Sequence, residues 1–418
     1  MKQALKVALF QCSFIYSGGG ERIVLEEARE LLKRGYEVEI YAPAVDQQLC
    51  YPEFLKDLKV KTFLPQLPRW FPLRHAFSML TASLLAPLLS LKFRDIDFFF
   101  SAGQPSAWIA FCCAKILNRP FIAYLNQPNR LIYMRQVDKE SQWQTEKSYY
   151  FLGRVLKSFK WFLKQIDKSS FLGADVMLVN GAYMAGVIND IYGRKPLVCC
   201  AGAYYQPLAK LRLSLTTAYK GTVEVGMNLI PKPFILITNR HEPQKKFEYV
   251  IRAMKKVLKE YPDVFLVIPG IFTSHTPKLL SLARRLSVAE RVLFLGQISE
   301  EDLQKLYQQA AVYCYPAPEE DFGLGPLEAG GWGVPTVAWN NAGPTATVEN
   351  GITGFLAKPF VVKDYAEKIL RLLKNPRLRS KMGQAAWQRV KEEFTWQKHI
   401  DILEKEMKKI RKKREKKR

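Results

Sequence analysis

The sequence has little histidine and no regular cysteine pattern. Its 418 residues include 4 His and 7 Cys, and Cys112–Cys113 and Cys199–Cys200 are chain neighbours. An odd number of irregularly spaced cysteines argues against a disulfide framework and predicts free thiols in a reducing compartment. Because no metal-ligand spacing is present, we expect no bound metal and no separate cofactor.

Long apolar runs are also missing. The longest, residues 76–91, is shorter than the roughly 20 residues that a membrane span needs, and Ser78, Thr81, Ser83 and Pro87 interrupt it. This pattern predicts a buried domain helix, with a helix lying in the plane of a membrane as the alternative. Residues 1–10 read as a strand without a cationic region, long apolar core or cleavage site, which predicts that the chain is not secreted.

Acidic residues are scarce beside basic ones. Lys and Arg number 63 and Asp and Glu 39, so the formal net charge is +24. This charge predicts an anionic partner, which leaves nucleic acid, a membrane surface and a phosphorylated substrate open. The length exceeds that of one ordinary core and predicts two domains of about 150 to 200 residues each.

A glycine loop lies near the start of the chain. An apolar strand pattern over Lys6–Cys12 is followed by Ser-Gly-Gly-Gly-Glu-Arg, in which Gly19 and Gly20 open a helical pattern. Strand, glycine loop, helix and strand form the opening of a Rossmann-type domain, where glycine lets a phosphate approach the backbone. A glycine triplet by itself is more often a flexible turn.

A second turn, near residue 320, has carboxylates on both sides. The strand pattern Ala311–Tyr315 leads into an acidic loop and then a helix that opens at Gly323. A helix N-terminus attracts an anion, and Glu320 and Glu328 can accept hydrogen bonds from hydroxyl groups on either side of it. The alternative is a solvated loop glutamate and a helix-start carboxylate.

The full string around this turn resembles a known motif. Glu320-Asp-Phe-Gly-Leu-x-x-Leu-Glu328-Ala, followed by Gly-Val-Pro-Thr-Val, is similar to the Glu-x7-Glu motif of retaining glycosyltransferases of family four, which have the two-domain GT-B fold. The resemblance implies that Glu320 contacts the donor sugar and Glu328 the ribose. It also implies that the diphosphate meets the backbone of Phe322, Gly323 and Leu324.

Two further segments resemble the same family. The Gly19–Gly20 loop is similar to a family loop that faces the donor diphosphate across the interdomain cleft. Arg240 and Lys246 follow the strand pattern Phe234–Thr238 and resemble the arginine and lysine that clamp the diphosphate, although Phe247 replaces the usual glycine. Taken alone, basic residues on a loop are most often surface charge.

One departure concerns Asn126, after the strand pattern Phe121–Leu125. Many relatives have a histidine there, which touches the donor near the reacting carbon. An amide can hydrogen-bond a sugar or phosphate oxygen but cannot relay a proton near neutral pH. Either the histidine's role is positional or this chain is an altered catalyst. Asp95-Ile-Asp97 spells a metal signature of a different glycosyltransferase fold, but it more simply indicates a charged turn before a strand.

The expected fold is α/β GT-B, with two Rossmann-like domains whose parallel sheets face an interdomain cleft. Repeated strand and helix patterns after residue 234 predict the second sheet. The predicted divisions are an N-terminal domain, a linker, a donor-binding domain, a terminal helix that crosses back to the first domain, and a disordered basic tail; their ranges are 1–205, 206–230, 231–385, 386–404 and 405–418.

Two segments suggest a membrane. An amphipathic helix from about Phe151 packs on its own domain or lies on an anionic membrane, because lysines beside aromatic residues suit the lipid interface. The tail 405–418 suits an anionic cytoplasmic leaflet better than nucleic acid, for which no base-recognition motif is present.

These features together predict a retaining glycosyltransferase that uses a UDP- or GDP-sugar. The predicted catalytic residues are Arg240, Lys246, Glu320 and Asn126. The acceptor is a glycan or a lipid-linked precursor, and the enzyme is expected in the cytoplasm, at the inner face of the membrane. The alternatives are a sugar-nucleotide epimerase or hydrolase, a sugar-nucleotide binding protein and, least favoured, a nucleic-acid binder.

Overall fold

The computed structural model describes residues 4–68, 70–71, 73–140, 159–207, 221–226 and 228–416. The chain forms two compact units. Unit 1 contains the residues up to Ala201 together with those from Trp396 onward, and unit 2 runs from Gly202 to Thr395.

Unit 1 is built on a parallel sheet of seven strands, in the order β3-β2-β1-β4-β5-β6-β7. Its strands are β1 Lys6–Gln11, β2 Glu37–Ala42, β3 Val60–Thr62, β4 Phe98–Ala102, β5 Phe121–Leu125, β6 Val176–Val179 and β7 Leu197–Val198. The sequences Phe-Phe-Phe-Ser-Ala of β4 and Phe-Ile-Ala-Tyr-Leu of β5 are buried throughout, as expected for central strands covered on both faces. The predicted positions of β1, β4 and β5 are confirmed.

Helices cover this sheet. They are α1 Gly19–Lys33, α2 Pro52–Asp57, α3 Arg74–Leu84, α4 Ala86–Leu89, α5 Ser106–Ile116, α6 Gln136–Glu140, α7 Lys160–Leu172 and α8 Ala182–Tyr192. The predicted amphipathic helix from Phe151 lies partly outside the described residues, and its described part begins at Phe159. Helix α1 starts at the glycine loop and ends before Gly35, whose φ of +82° is a conformation that glycine adopts without strain.

Unit 2 holds a second parallel sheet, of six strands in the order β12-β11-β10-β13-β14-β15, and a hairpin of β8 and β9. The strands are β8 Thr222–Val225, β9 Asn228–Pro231, β10 Phe234–Leu236, β11 Phe265–Pro269, β12 Val292–Gly296, β13 Val312–Tyr315, β14 Thr336–Trp339 and β15 Gly354–Ala357. The second α/β sheet predicted after residue 234 is therefore confirmed.

The helices of unit 2 are α9 Phe247–Glu260, α10 Thr276–Arg285, α11 Glu300–Gln309, α12 Leu324–Gly331, α13 Pro344–Thr347, α14 Val362–Lys374 and α15 Pro376–Glu393. The Ser299 hydroxyl accepts a hydrogen bond from the Asp302 backbone N–H at 3.0 Å. This cap satisfies one of the unpaired donors at the start of α11.

The predicted linker 206–230 needs correction. Gln206 N–H bonds to the Gly331 carbonyl at 3.0 Å, and the β8–β9 hairpin buries Val223, Val225 and Ile230 in the unit 2 core. Apolar alternation over the short strands carries this packing, so the described residues of the segment belong to unit 2 rather than joining two domains. The first unit ends at Ala201 instead of residue 205; residues 208–220 and 227 lie outside the described residues.

The C-terminal end also differs from the prediction. The predicted crossing helix 386–404 is two helices, because α15 ends at Glu393 and a new helix, α16, runs from Trp396 to Glu415. Residues 405–415 of the tail expected to be disordered are therefore the last part of α16. Leu403, Met407 and Ile410 are buried along one side of this helix, and their spacing of three to four residues within a lysine-rich sequence was the missed signal.

Charged contacts attach α16 to unit 1. Arg34 Nη1 lies 2.7 Å from Asp401 Oδ1 and 2.9 Å from Glu404 Oε2, and Arg414 Nη2 lies 3.1 Å from Asp175 Oδ2. The chain thus returns to unit 1, as the terminal-helix prediction required.

The apolar run 76–91 is not the buried helix that was expected. Helices α3 and α4 meet at Leu85 with a bend of 74°. Pro87 has no N–H for the Ser83 carbonyl, and that carbonyl accepts a bond from Trp108 Nε1 at 3.1 Å instead. Leu84 and Leu88 are 71% and 64% exposed. In the described part of the chain no single helix is long and apolar enough to cross a membrane. The bent pair of α3 and the segment after it is long and apolar enough only when the two are counted together.

Candidate active site

The unit 2 site lies where two neighbouring strands end. Strands β10 and β13 pair directly, so the loops that follow them lie side by side at the carboxyl edge of the sheet, where α/β proteins bind ligands. The loop after β10 supplies Lys245 and the loop after β13 supplies Glu320. Lys245 Nζ lies 2.6 Å from Glu320 Oε2, and the two side chains are only 16% and 14% exposed.

Lys245 was not among the predicted site residues. The sequence pattern favoured Lys246, which here has φ of +51° and precedes the first turn of α9. This left-handed residue re-aims the chain between the two lysines, so adjacent side chains have different surroundings. Since backbone direction at one residue decides which lysine meets Glu320, no sequence signal identified Lys245.

The other predicted clamp residue, Arg240, lies near an acid of its own loop. Its Nη1 atom is 3.8 Å from Glu242 Oε1. The assignment of Arg240 and Lys246 to the donor diphosphate stays a prediction. His241, the next residue, is fully buried with Nδ1 3.1 Å from Thr276 Oγ1. Burial lowers the pKa of His241 to about 4, so this imidazole is neutral at physiological pH.

The predicted anion-binding turn forms at Gly323. Its φ of +102° is followed directly by the eight residues of α12, so the first backbone N–H groups of that helix have no intrahelical acceptor. The Phe322 side chain is buried and its ring lies 6.0 Å from that of Phe394. Phe322 therefore anchors the turn, and at Leu324 the helix begins.

The loop that contains Gly343 packs against this turn. Gly343 N–H donates to the Glu320 carbonyl at 2.8 Å. A Cβ atom at Gly343 would overlap the backbone N and Cα of Phe322. Glycine at 343 is thus required by the close approach of two backbones, a role that the sequence alone did not reveal.

Glu328 is held by a network of hydroxyl groups. Tyr307 Oη donates to Glu328 Oε2 at 2.9 Å, and Thr238 Oγ1 lies 3.2 Å from Tyr307 Oη and 2.7 Å from Tyr313 Oη. Burial, with the adjacent Glu328 carboxylate, raises the pKa of Tyr307 well above its usual value. Tyr307 therefore remains a donor and fixes the rotamer of the carboxylate predicted to bind ribose.

Unit 1 carries its own set of predicted residues. Gly19 and Gly20 are the first two residues of α1. A Cβ atom built on Gly20 would lie 3.6 Å from Asn126 Nδ2 and 3.6 Å from Gln11 Nε2. The structure thus brings the glycine loop and Asn126 together at the carboxyl ends of β1 and β5.

The Asn126 amide has unused acceptor capacity. Its Oδ1 atom is buried and has no hydrogen-bond partner in the residues that the structure describes. Beside it, Gln11 Nε2 lies 3.5 Å from Glu21 Oε1, and Glu21 is nearly fully buried. Burial and the Glu21 charge raise the pKa of Cys12 to about 12, so this thiol is protonated and is not a nucleophile at neutral pH.

The Asp95-Ile-Asp97 sequence has a structural role. Lys6 Nζ pairs with Asp95, and Lys6 N–H donates to Asp97 Oδ2 at 2.9 Å. The charged turn before β4 is therefore as expected. Within the described ranges, no three His, Cys, Asp or Glu side chains are grouped to hold a metal ion. The expectation of metal-free chemistry stays a prediction.

Two family models match the chain. Residues 17–199 match the family described as Glycosyltransferase Family 4, and residues 228–389 match the family described as Glycosyl transferases group 1. The alpha-1,3/1,6-mannosyltransferase ALG2 of Homo sapiens is 26% identical over 399 residues, which cover 90% of each chain.

Solved structures share the fold. Sucrose-phosphate synthase of Thermosynechococcus elongatus superposes with a TM-score of 0.75 at 18% identity, over 97% of this chain and 99% of that one. Anabaena Alr3699/HepE in complex with UDP-glucose superposes with a TM-score of 0.69 at 17% identity, over 96% and 99%. At these identities the likeness concerns the fold alone, which is GT-B.

Proposed function

Since this chain belongs to the family-four glycosyltransferases, we propose that it moves a sugar from a nucleoside diphosphate sugar to a lipid-linked or polysaccharide acceptor with retention of anomeric configuration. The observation that carries the proposal is the grouping of a helix N-terminus at Gly323 with two fixed carboxylates, Glu320 and Glu328, at one sheet edge. Such a grouping matches the diphosphate, sugar and ribose of one ligand.

Charge development at the leaving group gives the basic residues their role. Arg240, Lys246 and the first N–H groups of α12 stabilise the charge that grows on the departing diphosphate. Removing one preorganised donor of this kind costs about 2.7 to 4 kcal/mol of barrier in comparable sites. Glu320, held by Lys245, orients the donor sugar, and the departing phosphate takes the proton of the acceptor hydroxyl.

Asn126 has a positional role in this proposal. Its Oδ1, which has no hydrogen-bond partner among the described residues, can accept a hydrogen bond from a ligand hydroxyl, while Gly20 leaves room beside its Nδ2. No proton transfer at this position is required, because the leaving phosphate supplies the base. The same observation favours a second function, binding of a sugar nucleotide without transfer, if a proton relay at this position is indispensable.

The donor and acceptor classes follow from the relatives and the charge. A relative that spans nearly the whole chain is named a mannosyltransferase, and a structural neighbour is described with UDP-glucose. Among the possible donors we therefore favour a mannosyl nucleotide, with a glucosyl nucleotide as the second candidate. The net charge of +24 favours a location of the enzyme at the anionic cytoplasmic face of a membrane, because basic residues are attracted to anionic lipids.

The test is donor consumption with and without lipid extract, over a panel of UDP- and GDP-sugars. We expect one donor to be consumed only with acceptor, a product of retained anomeric configuration, and a loss of about 10² to 10³ in kcat for Lys246→Ala. Lys61→Ala, at a lysine of strand β3 whose side chain is 43% exposed and which is not a predicted site residue, is the control. An inverted linkage contradicts the mechanism, and donor binding without any turnover favours the binding function.

A further inference from the structure

Helix α3 presents its larger apolar side chains outward. Leu73, just before it, and Phe77, Leu80 and Leu84 are spaced by three to four residues and are exposed, with fractions of 54%, 46%, 56% and 71%. Small residues face the domain instead, since Ala82 is fully buried and Ser78 nearly so. A surface helix of a globular domain normally has the opposite arrangement.

The apolar face continues past the bend. Leu88 and Leu91 of the following turns are 64% and 60% exposed. Residues 76–91 contain no Asp, Glu, Lys or Arg. Basic residues stand at both ends of this stretch, with Arg74 before it and Lys92 and Arg94 after it, and the last two are exposed.

A second apolar group lies on α7. Trp161 and Phe162 are 72% and 55% exposed and follow the exposed Lys160. Helices α3 and α7 each pack against α5, so both belong to the same helical layer of unit 1. Aromatic residues beside lysines are typical of protein surfaces that lie at a lipid interface.

We propose that α3 and α4, together with the start of α7, form the surface by which unit 1 lies on an anionic bilayer, with the leucines among the acyl chains and the exposed Lys92 and Arg94 at the headgroups. This proposal rests on the proposed function and names the part of the protein that reaches a lipid-linked acceptor. It differs from the expectation that the basic tail is the membrane contact.

The charge pattern favours a bilayer over a protein partner. An uncharged apolar stretch with cations only at its ends matches the layering of a bilayer, whose apolar interior is bordered by anionic headgroups. The α4 turn, only four residues long, allows the apolar face to bend along such a surface. The tail differs from this surface, because the apolar side chains Met407 and Ile410 of α16 are buried. Only the charged side chains of the tail are therefore available to a lipid surface.

The experiment is sedimentation of the full chain with vesicles of phosphatidylcholine, with and without phosphatidylglycerol. We compare wild type, Leu84→Ser/Leu88→Ser, and the control Leu229→Ser/Ile352→Ser, whose leucine and isoleucine are 67% and 51% exposed in unit 2. Lys412→Ser/Lys413→Ser tests the tail. Size-exclusion chromatography reports oligomeric state, and UDP and GDP binding reports the integrity of the nucleotide site.

We expect wild type and the control to sediment with anionic vesicles, and Leu84→Ser/Leu88→Ser to lose at least about tenfold in partition coefficient, because several methylene groups no longer enter the acyl region. Nucleotide binding should stay unchanged in that variant, which separates failure of this inference from failure of the proposed function. Equal sedimentation of the variant and wild type, or loss only in the Lys412→Ser/Lys413→Ser protein, overturns the proposal. A wild type that ignores vesicles but forms a dimer that Leu84→Ser breaks overturns it in favour of a second copy of the chain.

Discussion

The ion pair between Lys245 and Glu320 can be separated from the adjacent Lys246 by experiment. At the observed 2.6 Å, Coulomb's law with an effective dielectric constant of about 20 gives a gross attraction of about 6 kcal/mol. Most of it is offset by desolvation, since both side chains are largely buried. A net coupling of about 1 to 3 kcal/mol remains for such charge-assisted bonds.

We therefore expect Lys245→Met to lower the free energy of unfolding by about 2 kcal/mol, because it removes the cation that lies 2.6 Å from the buried Glu320 carboxylate. Glu320→Gln should lower the free energy of unfolding much less in the Lys245→Met protein than in wild type. Urea unfolding of wild type, both single variants and the double variant closes the cycle. Lys245→Arg is the conservative control and should recover most of the loss.

Activity distinguishes the two lysines further. If Lys245 acts through Glu320, Lys245→Met mainly raises KM for the donor, because the carboxylate that orients the sugar is misplaced. Lys246→Met mainly lowers kcat, because its charge is needed as the leaving group departs. A coupling energy below about 0.3 kcal/mol, the range of independent sites, or identical kinetic effects of the two lysine variants, would refute this reasoning.

Two further predictions concern the pH dependence of stability, and a third concerns donor binding and stability together. Burial by itself would lower the pKa of His399, but Cys199 and the Glu27 carboxylate at 2.9 Å outweigh it and raise that pKa well above its usual value. The stabilisation is complete below about pH 6.5 and declines as pH rises through the folded-state pKa. Glu27→Gln should reduce this alkaline loss of unfolding free energy, at a cost of about 3 kcal/mol near neutrality. Burial raises the pKa of Asp167 to about 6. The free energy of unfolding should therefore fall by up to about 3 kcal/mol as pH rises from about 4 to above 6, because the buried carboxyl group loses its proton. Urea titrations at several pH values should not show this fall for Asp167→Asn. Gly343→Ala should abolish donor binding by calorimetry and lower the thermal midpoint, because the new methyl group displaces the Phe322 backbone; normal binding in that variant would contradict the assigned backbone contact.

Local patterns in the sequence were sufficient to predict the two parallel sheets and the turn at Gly323 that carries the predicted donor-binding residues. Continuous apolar strands such as β4 and β5, glycine at helix starts and the Ser299 cap depend on residues close together in the chain. The Glu-x7-Glu string could be recognised for the same reason, since Glu320, Gly323 and Glu328 lie on one turn and one helix.

Tertiary packing decided what local pattern could not. The partner of Glu320 is 75 residues away and that of Glu328 is 21 residues away, so neither Lys245 nor Tyr307 had a sequence signal. The helical tail was missed because its lysine-rich composition also predicts disorder, although its apolar spacing was present. The exposed leucines of α3 were missed because amphipathic spacing shows that a helix has two faces but not which face meets the domain. The sequence by itself determined the alternation of strands and helices in the two parallel sheets and the turn at Gly323 that is predicted to bind a diphosphate. Only the tertiary structure decided which side chains hold the carboxylates and which apolar face stays outside, because both depend on contacts between segments that are distant in the chain.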